Sequence, residues 1–199
     1  MKIVLLVEGK TETALRDVLK TFLDSRADKE NQARVGLRTK PLDSRLLIPD
    51  RVKDQVAMSL RDPEVVCVVG LIDVYPTFPS AQKAKEFLRG AAGSEKRFHA
   101  HAAQFDVEAW LLPFWDEICQ KLKVKRQAPG GNPEEVNLEH PPSRHLAELY
   151  RQAKRSYDKP RDARAILQGR DLTVAANRCP EFKAFLNTLL TCANLAAIP

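Results

Sequence analysis

Continuous apolar runs alternate with amphipathic stripes over roughly the first 120 residues of the chain. Residues 3–7 and 65–72 are uniformly apolar and rich in β-branched side chains, which is typical of strands buried on both faces of a parallel sheet. Weaker strands are predicted over 33–41 and 97–103. Apolar residues at helical spacing predict the intervening helices, over 14–23, 51–61 and 81–89.

The pattern changes in the second half of the chain. A helix is predicted over 107–122, with both tryptophans in the core. Six proline or glycine residues then fall within 127–142, which indicates a long mobile or functional loop. Beyond the loop the chain reads as helical, with one apolar stripe over 146–153 and a last helix that opens at Pro180.

This order of elements predicts an α/β fold, a mostly parallel, Rossmann-like sheet flanked by helices, with a C-terminal helical extension. We divide the chain into an α/β core over 1–122, a Pro/Gly-rich loop over 123–142 and a basic helical extension over 143–199 that packs on the core. The strand at 65–72 is expected to lie beside the strand at 3–7, since first and third strands are commonly neighbours in doubly wound sheets.

Composition narrows the class of protein. The N-terminus carries one lysine and only a short apolar stretch, and no apolar run approaches the ~20 residues that a membrane helix needs, so we expect neither signal peptide nor membrane partner and a cytoplasmic location. The cysteines form no C-x-x-C pair. Their wide spacing favours reduced thiols over a disulfide framework or a zinc site: Cys67, Cys119, Cys179 and Cys192.

The positive charge is concentrated in one window. The chain carries a net charge of +6, and residues 121–170 hold 12 basic against 6 acidic residues, which accounts for the whole excess. This window is either a face that binds nucleic-acid phosphates or a solvated helical surface. On the first interpretation, the phosphate contacts come from Lys10, Arg144, Arg151, Lys154, Arg155, Lys159, Arg161 and Arg164.

The triplet Gly9-Lys10-Thr11 looks like the end of a nucleotide-binding phosphate loop. Such a loop needs its first glycine at position 4, where this chain has Val4 inside the first predicted strand. We therefore reject the phosphate loop, and the informative feature becomes Glu8, which directly follows that strand.

Carboxylates end both strong strands, Glu8 after the first and Asp73 after the second. If these strands are neighbours, ~4.8 Å apart, the two acids face one another at the carboxyl edge of the sheet. Two such acids repel unless one is protonated or a cation such as Mg²⁺ lies between them. The alternative is a pair of acids that cap helix N-termini. Asp106 and Glu108, at the start of a predicted helix, are candidates to complete a metal site or are ordinary first-turn acids.

The hexapeptide VEGKTE (7–12), followed by an apolar strand that ends at Asp73, resembles the TOPRIM domain of topoisomerases, bacterial primases and overcoming-lysogenization-defect nucleases. Within that fold the chain is most similar to the TOPRIM-like domain-of-unknown-function family 4276. Further features carry this resemblance: Asp73-Val74-Tyr75 before Pro76 and Pro79, Val107-Glu108-Ala109 at a helix start, and RCPEFKAFLNTL (178–189) in the closing helix.

The resemblance implies a site in which Glu8 is general base or metal ligand, Asp73 is a catalytic metal ligand, and Glu108, with Asp106 behind it, supplies the third carboxylate. The implied cofactor is Mg²⁺ or Mn²⁺. The implied context is bacterial defence against phage, with an ATPase partner and a homodimer. Two departures are visible. Tyr75 stands where TOPRIM domains carry a second aspartate, and Phe105 stands where the family has a histidine. His101, in the predicted fourth strand, is interpreted as a satisfied surface group.

Three functions compete at this point. The first is a metal-dependent nuclease or related phosphoryl-transfer enzyme, which the carboxylates and the basic window favour. The second is a non-catalytic module that binds nucleic acid or an ATPase, which the missing second aspartate favours. The third is a small-molecule phosphohydrolase, which would not require so much basic charge.

Overall fold

The sheet determines where the candidate residues lie. In a computed structural model that describes residues 1–135 and 140–199, apart from the side chains of Lys10, Glu12 and Ser44, four strands form one all-parallel sheet in the order β2-β1-β3-β4. The strands are β1 (Lys2–Val7), β2 (Gly36–Pro41), β3 (Val65–Asp73) and β4 (Phe98–Ala103). The α/β fold is thus confirmed, as is the adjacency of the two strongest strands.

Helices cover both faces of the sheet. They are α1 (Lys10–Ala14), α2 (Arg16–Lys29), α3 (Pro49–Leu60), α4 (Ala81–Ala92), α5 (Trp115–Leu122), α6 (Pro142–Gln152), α7 (Lys159–Leu167), α8 (Leu172–Ala176) and α9 (Pro180–Cys192). Short 3₁₀ segments connect some of them, at Asp43–Leu47, Val107–Phe114 and Pro133–Glu135.

Alternate residues of each strand feed two hydrophobic clusters. Val4 and Val68 pack with α3 and α4 on one face. Ile3 and Val69 point to the other face, where they join α2 and the C-terminal helices in one cluster. The helices after residue 142 therefore share a core with the sheet, while the three-part division of the chain stays a prediction.

The helix predicted over 107–122 is divided in two. Val107–Phe114 is a 3₁₀ segment that contains Pro113, and α5 begins only at Trp115. Proline lacks an amide hydrogen and its ring clashes with the preceding turn, which is why a single α-helix does not run through this position. Trp110 and Trp115 are both buried, so the prediction that they are core residues is confirmed.

The Pro/Gly-rich segment is anchored in its described part. Glu134 is buried, and its carboxylate accepts hydrogen bonds from the indole of Trp110 and from the backbone amides of Glu181 and Phe182. It thereby caps the N-terminus of α9, where Cys179 at the cap position makes no side-chain hydrogen bond to the helix. Residues 136–139 lie outside the described part of the chain.

The expectation of unpaired cysteines is wrong for one pair. Cys67 on β3 and Cys192 at the end of α9 form a disulfide, with Cα atoms 6.4 Å apart across 125 residues. Sequence spacing gave no sign of this contact, because it depends on α9 folding back over the sheet. Cys119 and Cys179 are free and buried.

Within residues 1–135 and 140–199, no helix is long and apolar enough to span a lipid bilayer.

Candidate active site

Glu8 and Asp73 meet at the carboxyl edge of the sheet. Val7 pairs with Leu71, so Glu8 leaves β1 beside the end of β3. One carboxylate oxygen of Glu8, Oε2, accepts a hydrogen bond from the backbone amide of Asp73 at 3.3 Å. Burial raises the pKa of Glu8, and this hydrogen bond offsets part of the increase.

Asp73 in turn connects to the segment that follows β4. Its Oδ1 accepts a hydrogen bond from the backbone amide of Val107 at 3.2 Å. The amides of Val74 and Tyr75 donate to the carbonyls of Ala103 and Phe105. These bonds extend the contact between the two segments beyond the ends of β3 and β4. This places the third acidic segment directly beside the strand ends.

Phe105 makes the turn into that segment with a φ of +69°, in the left-handed region that few non-glycine residues adopt. Such conformations persist where the surrounding structure holds them, and they concentrate at functional sites. The turn directs Asp106 and Glu108 into the interior.

Asp106 and Glu108 are buried and incompletely paired. Asp106 Oδ2 accepts a hydrogen bond from the backbone amide of Ser143, at the start of α6, at 3.3 Å. Asp106 Oδ1 and both carboxylate oxygens of Glu108 have no hydrogen-bond partner. Burial and the nearby charge of Asp106 raise the pKa of Glu108 to about 7, and burial also raises the pKa of Asp106.

Lys159 is the cation closest to these acids in the described contacts. Its Nζ lies 3.4 Å from Glu108 Oε1, in ion-pair distance, while its side chain stays 48% exposed. Burial alone would lower the pKa of Lys159, but the carboxylates of Glu108, Asp106 and Asp73 outweigh it and raise the pKa. Lys159 is the first residue of α7, so the basic extension contributes directly to the acidic site.

The donor set fits a hard divalent cation. Mg²⁺ and Mn²⁺ prefer carboxylate oxygens, and buried oxygens without hydrogen-bond partners are the atoms that a cation would satisfy. Among the described residues, however, the carboxylate oxygens of the four acids do not lie close enough together to form a compact ligand set. Among the described residues, the group whose ligand atoms all lie within 4.8 Å of one another is Cys67, His99 and Cys192, not the four acids.

The family model "Domain of unknown function (DUF4276)" matches residues 7–190, a range that includes all four acids and Lys159. The chain belongs to the DUF4276 family. It is also similar to a solved structure, the C-terminal region of the Burkholderia pseudomallei OLD protein, at 14% identity over 96% of both chains with a TM-score of 0.53. This likeness shows the fold. No curated protein matches the chain.

Several of the basic residues predicted to bind nucleic acid form ion pairs with carboxylates in this DUF4276 domain. Arg144 and Arg151 lie 3.6 and 4.0 Å from the carboxylate of Glu148. Arg161 pairs with its neighbour Asp162, and Arg164 pairs with Asp17 on α2.

Two further residues that are predicted to bind nucleic-acid phosphates, Lys154 and Arg155, are exposed. The side chain of Lys10 lies outside the described part of the chain. The assignment of all these residues to nucleic-acid binding stays a prediction.

His101 is neither a surface group nor fully satisfied, since its buried Nδ1 has no hydrogen-bond partner. The side chain is buried, and its Nε2 lies 2.9 Å from the hydroxyl of Thr188 on α9. Burial, with a smaller contribution from Lys85, lowers the pKa of His101 to about 3. In this DUF4276 domain His101 is therefore a neutral core residue that joins α9 to β4.

Sequence reasoning missed two neighbours of the acids, Ser143 and Tyr157. Ser143 donates its amide to Asp106, and the buried hydroxyl of Tyr157 has no hydrogen-bond partner. Burial raises the pKa of Tyr157, and the charge of Glu108 raises it further. Both residues arrive on the C-terminal extension, and no periodicity in the sequence indicates where that extension folds back.

Proposed function

We propose that this protein is a divalent-metal-dependent nuclease or related phosphoryl-transfer enzyme that acts on nucleic acid. One observation carries the proposal: two buried acids with unsatisfied oxygens, Asp106 and Glu108, join Glu8 and Asp73 at the carboxyl edge of a parallel sheet. Ligands and catalytic groups gather at this edge in open α/β sheets.

The metal would be held by carboxylates of Glu8, Asp73, Asp106 and Glu108. When bound, Mg²⁺ or Mn²⁺ would neutralise the phosphodiester and lower the pKa of a water molecule. Glu8, with its raised pKa, is suited to accept a proton from the attacking water at its carboxylate. Lys159 would leave Glu108 as the cation enters and would then neutralise phosphate charge from the rim of the site.

Exposed basic residues of the extension would position the nucleic acid. Arg151, Lys154 and Arg155 lie in one short exposed stretch at the end of α6 and just beyond it. Contacts of this kind bind phosphate without reading the base sequence. They would orient the strand while the acids act on one phosphodiester.

The biological setting is proposed by analogy. The TOPRIM proteins that this sequence resembles include defence nucleases that work beside an ATPase, and the fold matches a C-terminal region of an OLD protein. We infer that this protein serves in defence against phage with an ATPase partner, as a homodimer.

The proposal is tested by incubating the protein with supercoiled plasmid, single-stranded DNA and RNA in Mg²⁺ or Mn²⁺. We expect cleavage that stops on addition of a chelator and is lost in Glu8→Gln. The matched control is Glu117→Gln, a half-exposed acid on α5 that pairs with Arg170, which should cleave like the wild type. Absence of metal-dependent cleavage on all three substrates would refute catalysis, and cleavage of a generic phosphate ester alone would indicate a phosphohydrolase.

A second candidate is a non-catalytic module that binds nucleic acid or an ATPase. It is favoured by Tyr75, which is 43% exposed at the position where TOPRIM domains carry their second aspartate and which supplies no carboxylate to a cation. Binding of nucleic acid that weakens steeply with salt, without any cleavage, would support this module over the enzyme.

A further inference from the structure

A second cluster of metal-binding side chains lies away from the acids. Cys67 on β3, His99 on β4 and Cys192 at the end of α9 bring one ligand atom each to within 4.8 Å of the other two. Cys67 lies six residues before Asp73 on the same strand, which corresponds to roughly 20 Å at ~3.3 Å per residue. The cluster is therefore separate from the candidate active site.

The sheet register and the last helix position these three residues. His99 pairs with Val69, so it projects from the same face as Cys67, two residues earlier on β3. α9 crosses this face, and the contact of Thr188 with His101 fixes the helix one turn before Cys192. The three candidate ligands are thus positioned by three separate elements, β3, β4 and α9.

The chemistry of the cluster differs from that of the acidic site. Two cysteine sulfurs and one imidazole are the ligands of Zn²⁺, whereas Mg²⁺ prefers oxygen. Cys67 is buried, and His99 and Cys192 are half-buried. A cavity of about 440 Å³ borders the cluster on the side of His99, which lines it together with Arg89 and Thr188, while neither cysteine lines it.

We propose that Cys67, His99 and Cys192 form a Zn²⁺ site in the reduced protein, and that the ion and the Cys67–Cys192 disulfide are alternative ways of fastening α9 to the sheet. A dithiol reductant supplies two electrons and two protons, which break the sulfur–sulfur bond and yield two thiols while the reductant becomes a disulfide. Binding of Zn²⁺ then releases the thiol protons to solvent, and neutral His99 adds its ring nitrogen.

The proposal is tested with the full-length protein, using Co²⁺ as a spectroscopic probe that Zn²⁺ displaces. The protein reduced under anaerobic conditions should bind one Co²⁺ with a thiolate-to-metal charge-transfer band, and excess Mg²⁺ should leave this band unchanged. The oxidised protein should show no band. Cys192→Ser and His99→Ala should each weaken binding by more than about tenfold, the loss that even outer-shell changes produce. Cys119→Ser, a buried free cysteine elsewhere in the core, is the matched control and should bind like the wild type.

A second measurement does not depend on the folding of variants. Zn²⁺ should slow alkylation of Cys67 and Cys192 in the reduced wild-type protein, as read by peptide mass spectrometry, and Mg²⁺ should not. The proposal is overturned if the reduced protein develops no thiolate band, if the oxidised protein binds equally well, or if Zn²⁺ leaves both alkylation rates unchanged. None of these results bears on nuclease activity, so the two proposals fail independently.

Discussion

Lys159 Nζ lies 3.4 Å from Glu108 Oε1, although the carboxylate is almost fully buried and the lysine is half exposed. The ion pair joins the N-terminus of α7 to the acidic segment after β4. A lysine in this position balances part of the negative charge that four neighbouring acids create. It also competes with any dication for the same oxygen.

Replacement of Lys159 by Gln should therefore tighten binding of Mn²⁺, because the dication no longer displaces an ammonium group. We expect a dissociation constant about three- to tenfold lower, since half-exposed ion pairs contribute on the order of 1 kcal/mol. Isothermal titration with Mn²⁺ measures this directly. Lys121→Gln, on α5, is the matched control, and weaker Mn²⁺ binding in Lys159→Gln would mean that the lysine supports the metal site rather than competing with it.

Glu108 should make stability depend on pH in a defined window. Its pKa is raised from 4.5 to about 7 in the folded protein, so the folded state binds the proton more tightly than the unfolded state. Stability from this group is complete below pH 4.5 and is lost as pH rises toward 7. Glu108→Gln removes the titration and should gain on the order of 1–3 kcal/mol over the wild type across this window.

Urea unfolding at a series of pH values, in the presence of a chelator, measures that difference. The gain of the Gln variant should grow between pH 4.5 and 7 and then level off. A constant difference at all pH values would contradict the raised pKa. Glu117→Gln, at a half-exposed acid outside the site, should follow the wild type throughout.

Glu134 should be essential for the stability of α9. Glu134→Ala removes three hydrogen bonds and leaves the buried indole N–H of Trp110 and the first amides of α9 unsatisfied. We expect a loss of roughly 2–4 kcal/mol in the free energy of unfolding. Chemical denaturation checks this, and the neighbouring exposed Glu135→Ala should stay within about 0.5 kcal/mol of the wild type.

Nucleic-acid binding should depend on salt through the exposed basic residues beyond α6. The double variant Lys154→Gln/Arg155→Gln should weaken binding to all sequences alike and reduce the slope of log K against log salt by about two. Fluorescence anisotropy at several salt concentrations measures the slope. An equal change in the double variant Arg51→Gln/Lys53→Gln on α3, outside the basic window, would show that the effect follows net charge alone.

The sheet was predictable from the sequence because its central strands are uniformly apolar. β1 and β3 are buried on both faces, so hydrophobicity alone located them, and their order followed from a general rule for doubly wound sheets. The helix over 107–122 was not predictable in the same way. Its apolar spacing suits a helix, but Pro113 converts the first half into a 3₁₀ segment.

The acids of the candidate site were predictable, and their partners were not. Glu8 directly follows β1 and Asp73 is the last residue of β3, so the sheet edge brings them together without further information. Ser143 and Lys159 reach Asp106 and Glu108 only because α6 and α7 fold back onto the core. The contact of Cys67 with Cys192 has the same origin, since it depends on tertiary packing between segments far apart in the chain.

Asp106 holds the first turn of α6 through the amide of Ser143, while Glu108 holds the first residue of α7. The two acids thus have a second role, as docking points for the helices that carry the exposed arginines and lysines. An ion that draws either carboxylate away would loosen one of these attachments. Binding of the dication and binding of the nucleic acid are then thermodynamically linked. Each ligand should change the affinity of the protein for the other by the same factor.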